Sequence, residues 1–332
     1  KLQYVWHHSK VPIKTRKKLN LPAQDEGIDL VAKSREGEYW AIQCKYKTDE
    51  DSSLTRRELS TFTDLTFNIC KGFAVALACT TADRFSAKLK MHGERISYIA
   101  GDTWRALDET AFTRIHKHLR GVKVPKPKRF KPRKHQQRAI RNAVKHFVKE
   151  KQRRGKMIMP CGTGKSLTGY WIAQKLEAKR VLVAVPSLSL IRQTLQVWAE
   201  QSLANKQDIN WIVVCSDQSI DKASRTDAAV LTQDLGVRIH TDPTEIAGWL
   251  RKSRKGMTVV FSTYQSGKAV AEASRKAKFT YDIGIMDEAH KTVGRRESLF
   301  AHLLHERNIK IRKRVFMTAT ERLYQGKTDE IV

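Results

Sequence analysis

The pattern of hydrophobic and polar positions changes twice along the chain. Up to about residue 120, short runs alternate between apolar and polar residues, which predicts strands, and two longer stretches have helical spacing. The predicted strands are 28–33, 39–46, 73–79 and 96–100, and the predicted helices are about 55–68 and 108–118. This mixture predicts an α/β domain over residues 1–120.

From residue 135 to residue 332, continuous apolar strands alternate with helices. The strand candidates are 156–159, 181–185, 211–215, 257–262, 283–286 and 315–318, and helical stretches such as 165–178 and 187–203 lie between them. Continuous apolar strands separated by helices predict a parallel sheet that is covered on both faces. We therefore expect a second α/β domain in this part of the chain.

Between the two parts lies the segment GVKVPKPKRFKPRK, residues 121–134. It has three prolines, seven basic residues and no acidic residue. Because proline interrupts helices and sheets, the segment is expected to be an extended linker. A plain spacer and a segment that also follows a phosphate backbone both fit this composition.

The composition narrows the class of protein. The chain has 332 residues, enough for two domains, and 40% of them are hydrophobic, which argues against global disorder. No apolar run reaches about 18 residues, so no membrane span is expected. The five cysteines are odd in number and include no CxxC pair, which favours a reducing, cytoplasmic compartment over a disulfide framework or zinc cluster.

The charge of the chain indicates a polyanionic partner. There are 63 basic and 34 acidic residues, which gives a net charge of +29. Such an excess is larger than solubility requires and is typical of proteins that bind DNA or RNA. A membrane-surface protein is the competing interpretation, but the basic residues are not confined to one amphipathic helix.

The stretch MPCGTGKSLTGYWIA, residues 159–173, has the composition of a phosphate-binding loop. A strand end meets Gly162, Thr163 and Gly164, and then Lys165 and Ser166 open a helix. Backbone N–H groups at such a helix start stabilise phosphate oxygens, the lysine reaches the β- and γ-phosphates, and the serine hydroxyl ligates Mg²⁺. The full pattern has glycine where this chain has Met159. The alternative interpretation is a glycine-rich turn that only starts a helix.

The stretch IGIMDEAHK, residues 283–291, supports the nucleotide-binding interpretation. Its apolar strand delivers Asp287 and Glu288 at the carboxyl end, where open α/β sheets bind ligands. Asp287 is expected to hold Mg²⁺, and Glu288 is expected to polarise the water that attacks the γ-phosphate. His290 is expected to sense the phosphate and to signal to the nucleic-acid side.

The motifs GTGKS, DEAH and MTATE (317–321) occur in the order found in the first motor domain of superfamily 2 helicases of the DEAH-box kind, which this part of the chain resembles. The resemblance implies a RecA-like ATPase domain in which Gln136 reads the adenine. It also implies that Thr318 and Thr320 couple hydrolysis to movement. Two further segments, VPSLSLIRQT (185–194) and FSTYQS (261–266), resemble those that grip a nucleic-acid backbone. Such motors use two RecA-like domains, so we expect this chain to be a fragment with an incomplete ATPase.

The stretch DEGIDLVAKSREGEYWAIQCKYK, residues 25–47, combines groups suited to phosphodiester cleavage. Two antiparallel strands can bring Asp29, Gln43 and Lys45 around one point, with Ile42 and Cys44 anchoring the second strand in the core. A carboxylate can fix Mg²⁺, which lowers the pKa of a bound water, and an ammonium can stabilise the developing charge. The alternative is a strand whose lysine is simply solvated.

This stretch resembles the Mrr-like branch of the PD-(D/E)XK nucleases, in which a glutamine takes the place of the second acid. The resemblance implies a restriction-endonuclease-like α/β domain with a central mixed sheet. It implies that Asp29 is the main metal ligand, that Gln43 and the Cys44 carbonyl are further ligands, and that Lys45 is the catalytic lysine. His7 and His8 are interpreted as surface residues.

Together the two halves resemble ATP-dependent restriction enzymes of the Type ISP class. The resemblance implies double-stranded DNA as partner, ATP and Mg²⁺ as cofactors, and a longer polypeptide that also holds methyltransferase and target-recognition parts. Two alternatives stay open: a stand-alone helicase–nuclease in phage defence or repair, and a DNA-binding module whose nuclease fold is inactive.

Overall fold

The computed structural model describes residues 2–35, 37–49, 51–86, 96–105, 107–122, 127–215, 239–252, 254–289 and 299–319. The described residues up to 122 form one compact unit, and those from 127 onward form a second. Within the described residues, no helix is long and apolar enough to cross a membrane.

A mixed sheet of five strands forms the centre of the first unit. The strands of this unit are β1 (Leu2–His7), β2 (Leu30–Ser34), β3 (Tyr39–Lys45), β4 (Ser53–Leu54), β5 (Phe73–Thr80), β6 (Arg84–Phe85) and β7 (Ile96–Ile99). The sheet has the order β1-β2-β3-β5-β7, and β4 pairs with β6 separately. The pairs β1–β2 and β2–β3 are antiparallel, whereas β3–β5 and β5–β7 are parallel. The fold predicted for this part is therefore confirmed, with β1 as an additional edge strand.

Among the described residues, four α-helices accompany this sheet: α1 (Ile13–Leu19), α2 (Ser60–Asp64), α3 (Gly101–Arg105) and α4 (Glu109–Leu119). The single helix expected over 55–68 is wrong, because the chain there forms a 3₁₀ turn (Arg57–Leu59), the short α2 and a π-helical turn (Leu65–Ile69). The Thr63 hydroxyl donates to the Leu59 carbonyl at 2.7 Å, and such side-chain bonds compete with regular helix formation.

Both faces of the first sheet are packed. One face buries Val31 and Ala41 in a cluster that includes Phe62 of α2, and the other face buries Trp40 and Ile42. Because side chains alternate along a strand, the odd-numbered positions of β3 share one face and the even-numbered positions share the other. This alternation fixes the face on which the polar residues at the end of β3 lie.

The second unit contains a seven-stranded parallel sheet. Its strands are β8 (Arg154–Ile158), β9 (Arg180–Val185), β10 (Ile209–Val214), β11 (Ile239–His240), β12 (Met257–Thr263), β13 (Tyr281–Met286) and β14 (Ile311–Thr318). Their order is β11-β10-β12-β9-β13-β14-β8, and every pairing is parallel. The predicted parallel sheet is confirmed, and the two-residue β11 is too short for a hydrophobic pattern to reveal it.

Helices connect these parallel strands. They are α5 (Lys134–Val144), which continues into a π-helical turn at Lys145–Lys149, α6 (Lys165–Lys175), α7 (Leu188–Ala204), α8 (Pro243–Arg251), α9 (Gly267–Lys276) and a 3₁₀ segment at Leu299–Leu304. Gly164 directly precedes α6 as its N-cap and has a left-handed φ of 81°, a conformation that glycine adopts without a steric cost.

The residues just before α5 have no regular secondary structure, but they are held in place. The Gln201 side chain of α7 accepts from the Phe130 N–H at 3.1 Å and donates to the Lys128 carbonyl at 3.2 Å. Gln201 itself is only 1% exposed. The buried Gln201 amide thus supplies hydrogen-bond partners to backbone groups of an extended segment. This end of the expected linker is therefore fixed on α7 and is not a free spacer.

Candidate functional site

Asp29, Gln43 and Lys45 lie on one face at the end of the β2–β3 pair. Asp29 directly precedes β2, and the register pairs its neighbour Leu30 with Ile42. Asp29 is thus opposite Gln43, and Lys45 follows two positions later on the same face. The Cys44 N–H donates to the Asp29 carboxylate at 2.6 Å, which fixes this acid against β3. The strand register places the three residues that the sequence suggested at neighbouring positions on this face.

The Gln43 side chain is the buried member of this group. Gln43 is 4% exposed, and its Oε1 atom has no hydrogen-bond partner among the described residues. Gly27 lies beside this amide. A Cβ at Gly27 would make an ordinary contact with Gln43 Nε2 at 3.6 Å but would crowd the Phe62 backbone nitrogen at 3.3 Å. Gly27 also has a φ of 135°, which side-chain-bearing residues rarely adopt.

Cys44 does not anchor β3 in the core, contrary to expectation. It is exposed, because the strand leaves the packed part of the sheet after Gln43. The hydrogen bond from the neighbouring Cys79 thiol lowers the pKa of the Cys44 thiol. The two cysteines are register partners in the β3–β5 pair.

His8 is also placed differently from the surface position expected for it. It is 2% exposed, and this burial lowers the pKa of its imidazole. The physical reason is that the main-chain N–H of His8 donates to the Asp29 carbonyl at 2.9 Å, which extends the β1–β2 pairing and draws His8 inward. His7 is exposed, as expected.

A polar network beyond Lys45 was not apparent from the sequence. The Lys47 ammonium pairs with Glu58, which also accepts from the Thr55 N–H at 2.9 Å and the Thr55 hydroxyl at 2.7 Å. The Lys47 contact, followed by the Thr55 contacts, lowers the pKa of Glu58 to about 2. The Thr81 hydroxyl bonds both the N–H and the carbonyl of Lys47, at 2.7 and 2.8 Å. This network fixes the chain just beyond the candidate catalytic lysine.

Within the part of the chain that the structure describes, no group of three or more His, Cys, Asp or Glu residues could hold a metal ion. The candidate donor set at the end of β3 instead combines the Asp29 carboxylate with two neutral oxygens, the Gln43 amide oxygen and the Cys44 carbonyl.

The phosphate loop of the second unit connects β8 to α6. Gly162 and Gly164 have left-handed φ values of 75° and 81°, and Lys165 is the first residue of the helix. Lys165 Nζ lies 3.5 Å from the Met159 carbonyl. The Ser166 hydroxyl is buried and has no partner among the described residues. The two left-handed glycines and the unpartnered hydroxyl are compatible with a phosphate–metal site.

Gln136 braces this loop. It is buried, and its Nε2 donates to the Thr163 carbonyl at 3.0 Å while its Oε1 accepts from the Arg133 N–H at 2.8 Å. A Cβ on Gly164 would lie 2.6 Å from Nε2. A groove of about 780 Å³, lined by His135 and Thr163 among others, opens beside the loop.

Asp287 and Glu288 follow β13 and face the loop. Lys165 Nζ lies 3.4 Å from Glu288 Oε1, and both side chains are largely buried. Burial raises the pKa of Asp287 to about 6. Glu288 has a left-handed φ of 49°, so the chain turns sharply just where these acids emerge. The two halves of the expected hydrolysis site are therefore in direct contact.

Tyr264 is the functional candidate that the sequence did not reveal. It lies in the FSTYQS segment, is fully buried, and its hydroxyl donates to the Asp287 carbonyl at 2.7 Å. No periodicity indicates which carbonyl a buried hydroxyl reaches.

Thr318 ends β14 and is 4% exposed, and its carbonyl accepts from the Met159 N–H at 2.9 Å. The strand before the phosphate loop and the MTAT element are thus directly bonded. His290 and Thr320 lie outside the described residues.

Comparisons with known proteins find a matching family for each of the two units. Residues 129–322 match the family described as Type III restriction enzyme, res subunit, and residues 1–98 match a family described as restriction endonuclease. A probable helicase of African swine fever virus is 33% identical over 185 residues, which cover 55% of this chain and 19% of that protein.

Among solved structures, the chain is similar to the ATP-dependent Type ISP restriction-modification enzyme LlaBIII bound to DNA, with a TM-score of 0.74 and 28% identity. That match covers 96% of this chain and 20% of LlaBIII. A nuclease-deletion mutant of the Type ISP enzyme LlaGI, in complex with a DNA substrate mimic, matches 60% of this chain and 19% of its own, with 33% identity and a TM-score of 0.48.

The chain spans about a fifth of the length of these relatives. The family matches cover both units, and the LlaBIII likeness extends over nearly the whole chain. The chain therefore belongs to the family of the Type III restriction enzyme res subunit, and an Mrr-like restriction endonuclease domain precedes its RecA-like helicase domain, as in Type ISP enzymes.

Proposed function

We propose that the first unit cleaves DNA with the help of a divalent metal, and that the second unit hydrolyses ATP to move along duplex DNA. The observation that carries the proposal is the 2.6 Å bond from the Cys44 N–H to the Asp29 carboxylate. It joins the Asp29 carboxylate to the strand that presents Gln43 and Lys45. Groups of the three required kinds therefore occupy neighbouring positions where β3 ends, which supports the proposal.

The residues of the first unit fit Mg²⁺. Gln43 Oε1 is a buried oxygen without a protein partner, and oxygen donors are the ligands that Mg²⁺ prefers. Asp29, Gln43 and the Cys44 carbonyl would hold the ion, which when bound neutralises phosphate charge and acidifies a water. Asp29 supplies the negative charge, and the Lys45 ammonium would orient the water or stabilise the charge that develops on the attacked phosphate.

In the second unit the residues fit ATP with Mg²⁺. The buried, unpartnered Ser166 hydroxyl and the carboxylate of Asp287 are the metal-binding groups, and the N–H groups of the Gly162–Gly164 loop bind phosphate oxygens. Lys165 and Glu288 hold each other in the structure. We infer that Lys165 turns to the phosphates when ATP binds, which frees Glu288 to polarise the attacking water.

We further propose that both units act within a longer polypeptide, and that a second RecA-like domain of that polypeptide completes the ATP site. Methyltransferase and target-recognition parts are expected there as well. The likeness to LlaBIII, which was solved bound to DNA, supports DNA as the substrate. The net charge of +29 supports it independently.

The test compares plasmid cleavage and ATP hydrolysis in the full-length protein. The variants Asp29→Ala and Lys45→Ala should abolish cutting in the presence of Mg²⁺ and ATP, and both should keep wild-type ATP hydrolysis. The matched control is Lys33→Ala, which removes a lysine from β2 away from the site. Cutting that survives in both site variants would show that the nuclease assignment is wrong.

The neutral Gln43 favours one alternative, a DNA-binding module whose nuclease fold is inactive. The same plasmid assay separates the two functions, because this alternative requires that the wild-type full-length protein binds duplex DNA but never nicks it. Mn²⁺ in place of Mg²⁺ makes the assay more sensitive to a weak metal site.

A further inference from the structure

The positive charge of the chain is concentrated in one short region. Residues 127–156 contain 13 basic residues and one acid, Glu150, a net of +12 within a total of +29. All 13 basic residues are exposed. Thirty residues thus carry about two fifths of the excess charge, which is more than an even distribution of solubilising charges would place there.

The two segments expected to grip DNA carry almost none of this charge. VPSLSLIRQT contains one basic residue, Arg192, and FSTYQS contains none. These segments can bind a backbone through N–H and hydroxyl groups, but they do not supply the electrostatic attraction that dominates DNA affinity. Another surface must supply it.

Helix α5 organises the charge into a line. Lys134, Arg138 and Arg141 of α5 and Lys145, the first residue of the turn that continues α5, are spaced i, i+4, i+7 and i+11, so they lie on one face. Lys145 also pairs with Glu150 at 3.4 Å. We call these four basic residues the basic strip. At 1.5 Å per residue the strip is about 16 Å long, a length on which duplex DNA presents roughly nine phosphate charges.

The opposite face of the same helix is buried. Gln136, Ile140 and Phe147 are 4%, 7% and 4% exposed. Gln136 is bonded to the phosphate loop, and this contact prevents the helix from rotating. The strip therefore faces solvent, and Arg138 and Lys145 also border the groove beside the phosphate loop.

The residues on either side of the strip extend it on a fixed scaffold. On one side, Gln201 holds the backbone of Lys128 and Phe130, so Lys128 and Arg129 stand on an ordered segment. On the other side, β8 places Arg154 and Lys156 at an edge of the sheet. A rigid line of cations costs less ordering entropy on binding than a mobile basic tail.

We propose that the basic strip of α5 is a second contact surface for the phosphate backbone of duplex DNA, separate from the two gripping segments. The proposal rests on the proposed function and deepens it, because it assigns the electrostatic part of DNA binding to a defined helix face. A straight, rigid line of charge fits the regular backbone of a duplex better than a flexible single strand.

The test measures the salt dependence of binding in the full-length protein, with a 40-base-pair duplex of arbitrary sequence as probe. The strip variant carries Lys134→Gln, Arg138→Gln, Arg141→Gln and Lys145→Gln. The control variant carries Lys175→Gln, Lys252→Gln, Lys255→Gln and Lys310→Gln, four exposed positions of the same unit outside the strip. Both variants lose four positive charges, so their net charges are equal.

The slope of log Kobs against log salt should become shallower by about 3 to 4 in the strip variant, since each lost phosphate contact contributes about 0.9. The control slope should change by less than about 1. Thermal unfolding should show that both variants are folded.

Equal slopes in the two variants, with duplex binding by the wild-type protein intact, would contradict the proposed role of the basic strip and leave the proposed function standing. A strip-dependent slope for single-stranded DNA or RNA of the same length, but not for the duplex, would overturn it as well. Absence of any duplex binding by the wild-type protein would instead overturn the proposed function, and the strip with it.

Discussion

The Tyr264 hydroxyl donates a 2.7 Å hydrogen bond to the main-chain carbonyl of Asp287, and both residues are buried. The Tyr264 N–H donates to the Val185 carbonyl at 3.1 Å, and the Asp287 N–H donates to the Ala184 carbonyl at 2.9 Å. One residue of FSTYQS therefore touches the strand that leads into VPSLSLIRQT and the turn that presents the DEAH acids. It fixes the oxygen of the peptide bond that precedes Glu288.

Replacing Tyr264 by Phe should lower the kcat of ATP hydrolysis about fivefold and leave KM for ATP nearly unchanged. The lost bond contributes about 1 kcal/mol, and it holds the peptide that orients Glu288 and not the groups that bind nucleotide. Steady-state ATP hydrolysis with saturating duplex DNA measures both constants.

The matched control for this change is Tyr281→Phe. Tyr281 is equally buried, and its hydroxyl lies 3.2 Å from the Ser274 hydroxyl, away from the DEAH turn. Both variants should lose about 1 kcal/mol of unfolding free energy. Equal kcat values in the two variants would contradict a positioning role for Tyr264.

Replacing Gly164 by Ala should abolish ATP binding and reduce the unfolding free energy by about 1 to 2 kcal/mol. The φ of 81° is unfavourable for alanine, and the added Cβ would meet the Gln136 amide at 2.6 Å. Nucleotide binding and chemical denaturation are the measurements.

Gly248→Ala is the control for that variant. Gly248 lies within α8, and nothing is within 4 Å of its added Cβ. Because alanine favours helices, this variant should gain about 0.5 to 1 kcal/mol. A Gly164→Ala protein that binds ATP normally would contradict the assigned role of the loop.

Replacing Gln43 by Glu should reduce the Mg²⁺ concentration needed for half-maximal cleavage about tenfold, because a carboxylate adds charge to the donor set. The metal-free variant should unfold at a lower temperature than wild type at pH 7, since the position is 4% exposed, and Mg²⁺ should restore its stability. Gln43→Ala should need more Mg²⁺ than wild type. The same Mg²⁺ requirement in all three proteins would remove Gln43 from the metal site.

Replacing Glu58 by Gln should destabilise the first unit at neutral pH by about 1 kcal/mol, a value that allows for partial solvent screening. The pKa of Glu58 is lowered from 4.5 to about 2 in the folded protein, so ionised Glu58 favours folding. Its stabilisation is complete above about pH 4.5 and disappears as the pH falls toward 2. Unfolding measured from pH 7 to pH 2 should show the two proteins converging, and a constant difference would contradict the assignment.

Much of the fold follows from the sequence because buried parallel strands are continuous apolar runs. The phosphate loop and the DEAH turn could be located for the same reason, since each directly follows such a run. Strand β1 could not be predicted, because its residues are mostly exposed at a sheet edge and leave no apolar alternation.

The side-chain contacts that hold the candidate sites in place could not be predicted from sequence patterns. Lys47 and Glu58 each look solvated in isolation, and only the fold brings them together. Cys44 was expected to be buried because β3 alternates cleanly, but its side chain is exposed although β3 is still paired with β5 at that point. Apolar alternation predicts which face of the sheet a residue occupies, but it does not predict how far along the strand other residues pack over that face.

The bonds between Gln201 and the segment 128–130 also determine how the second unit would respond to mechanical force. Tension applied to the chain before Lys128 reaches Gln201 first, and through it the 17-residue helix α7. Helix α5 begins only at Lys134 and is shielded from that load while the two bonds hold. The phosphate loop, which is braced by Gln136 of α5, is therefore mechanically insulated from a pull on the preceding chain.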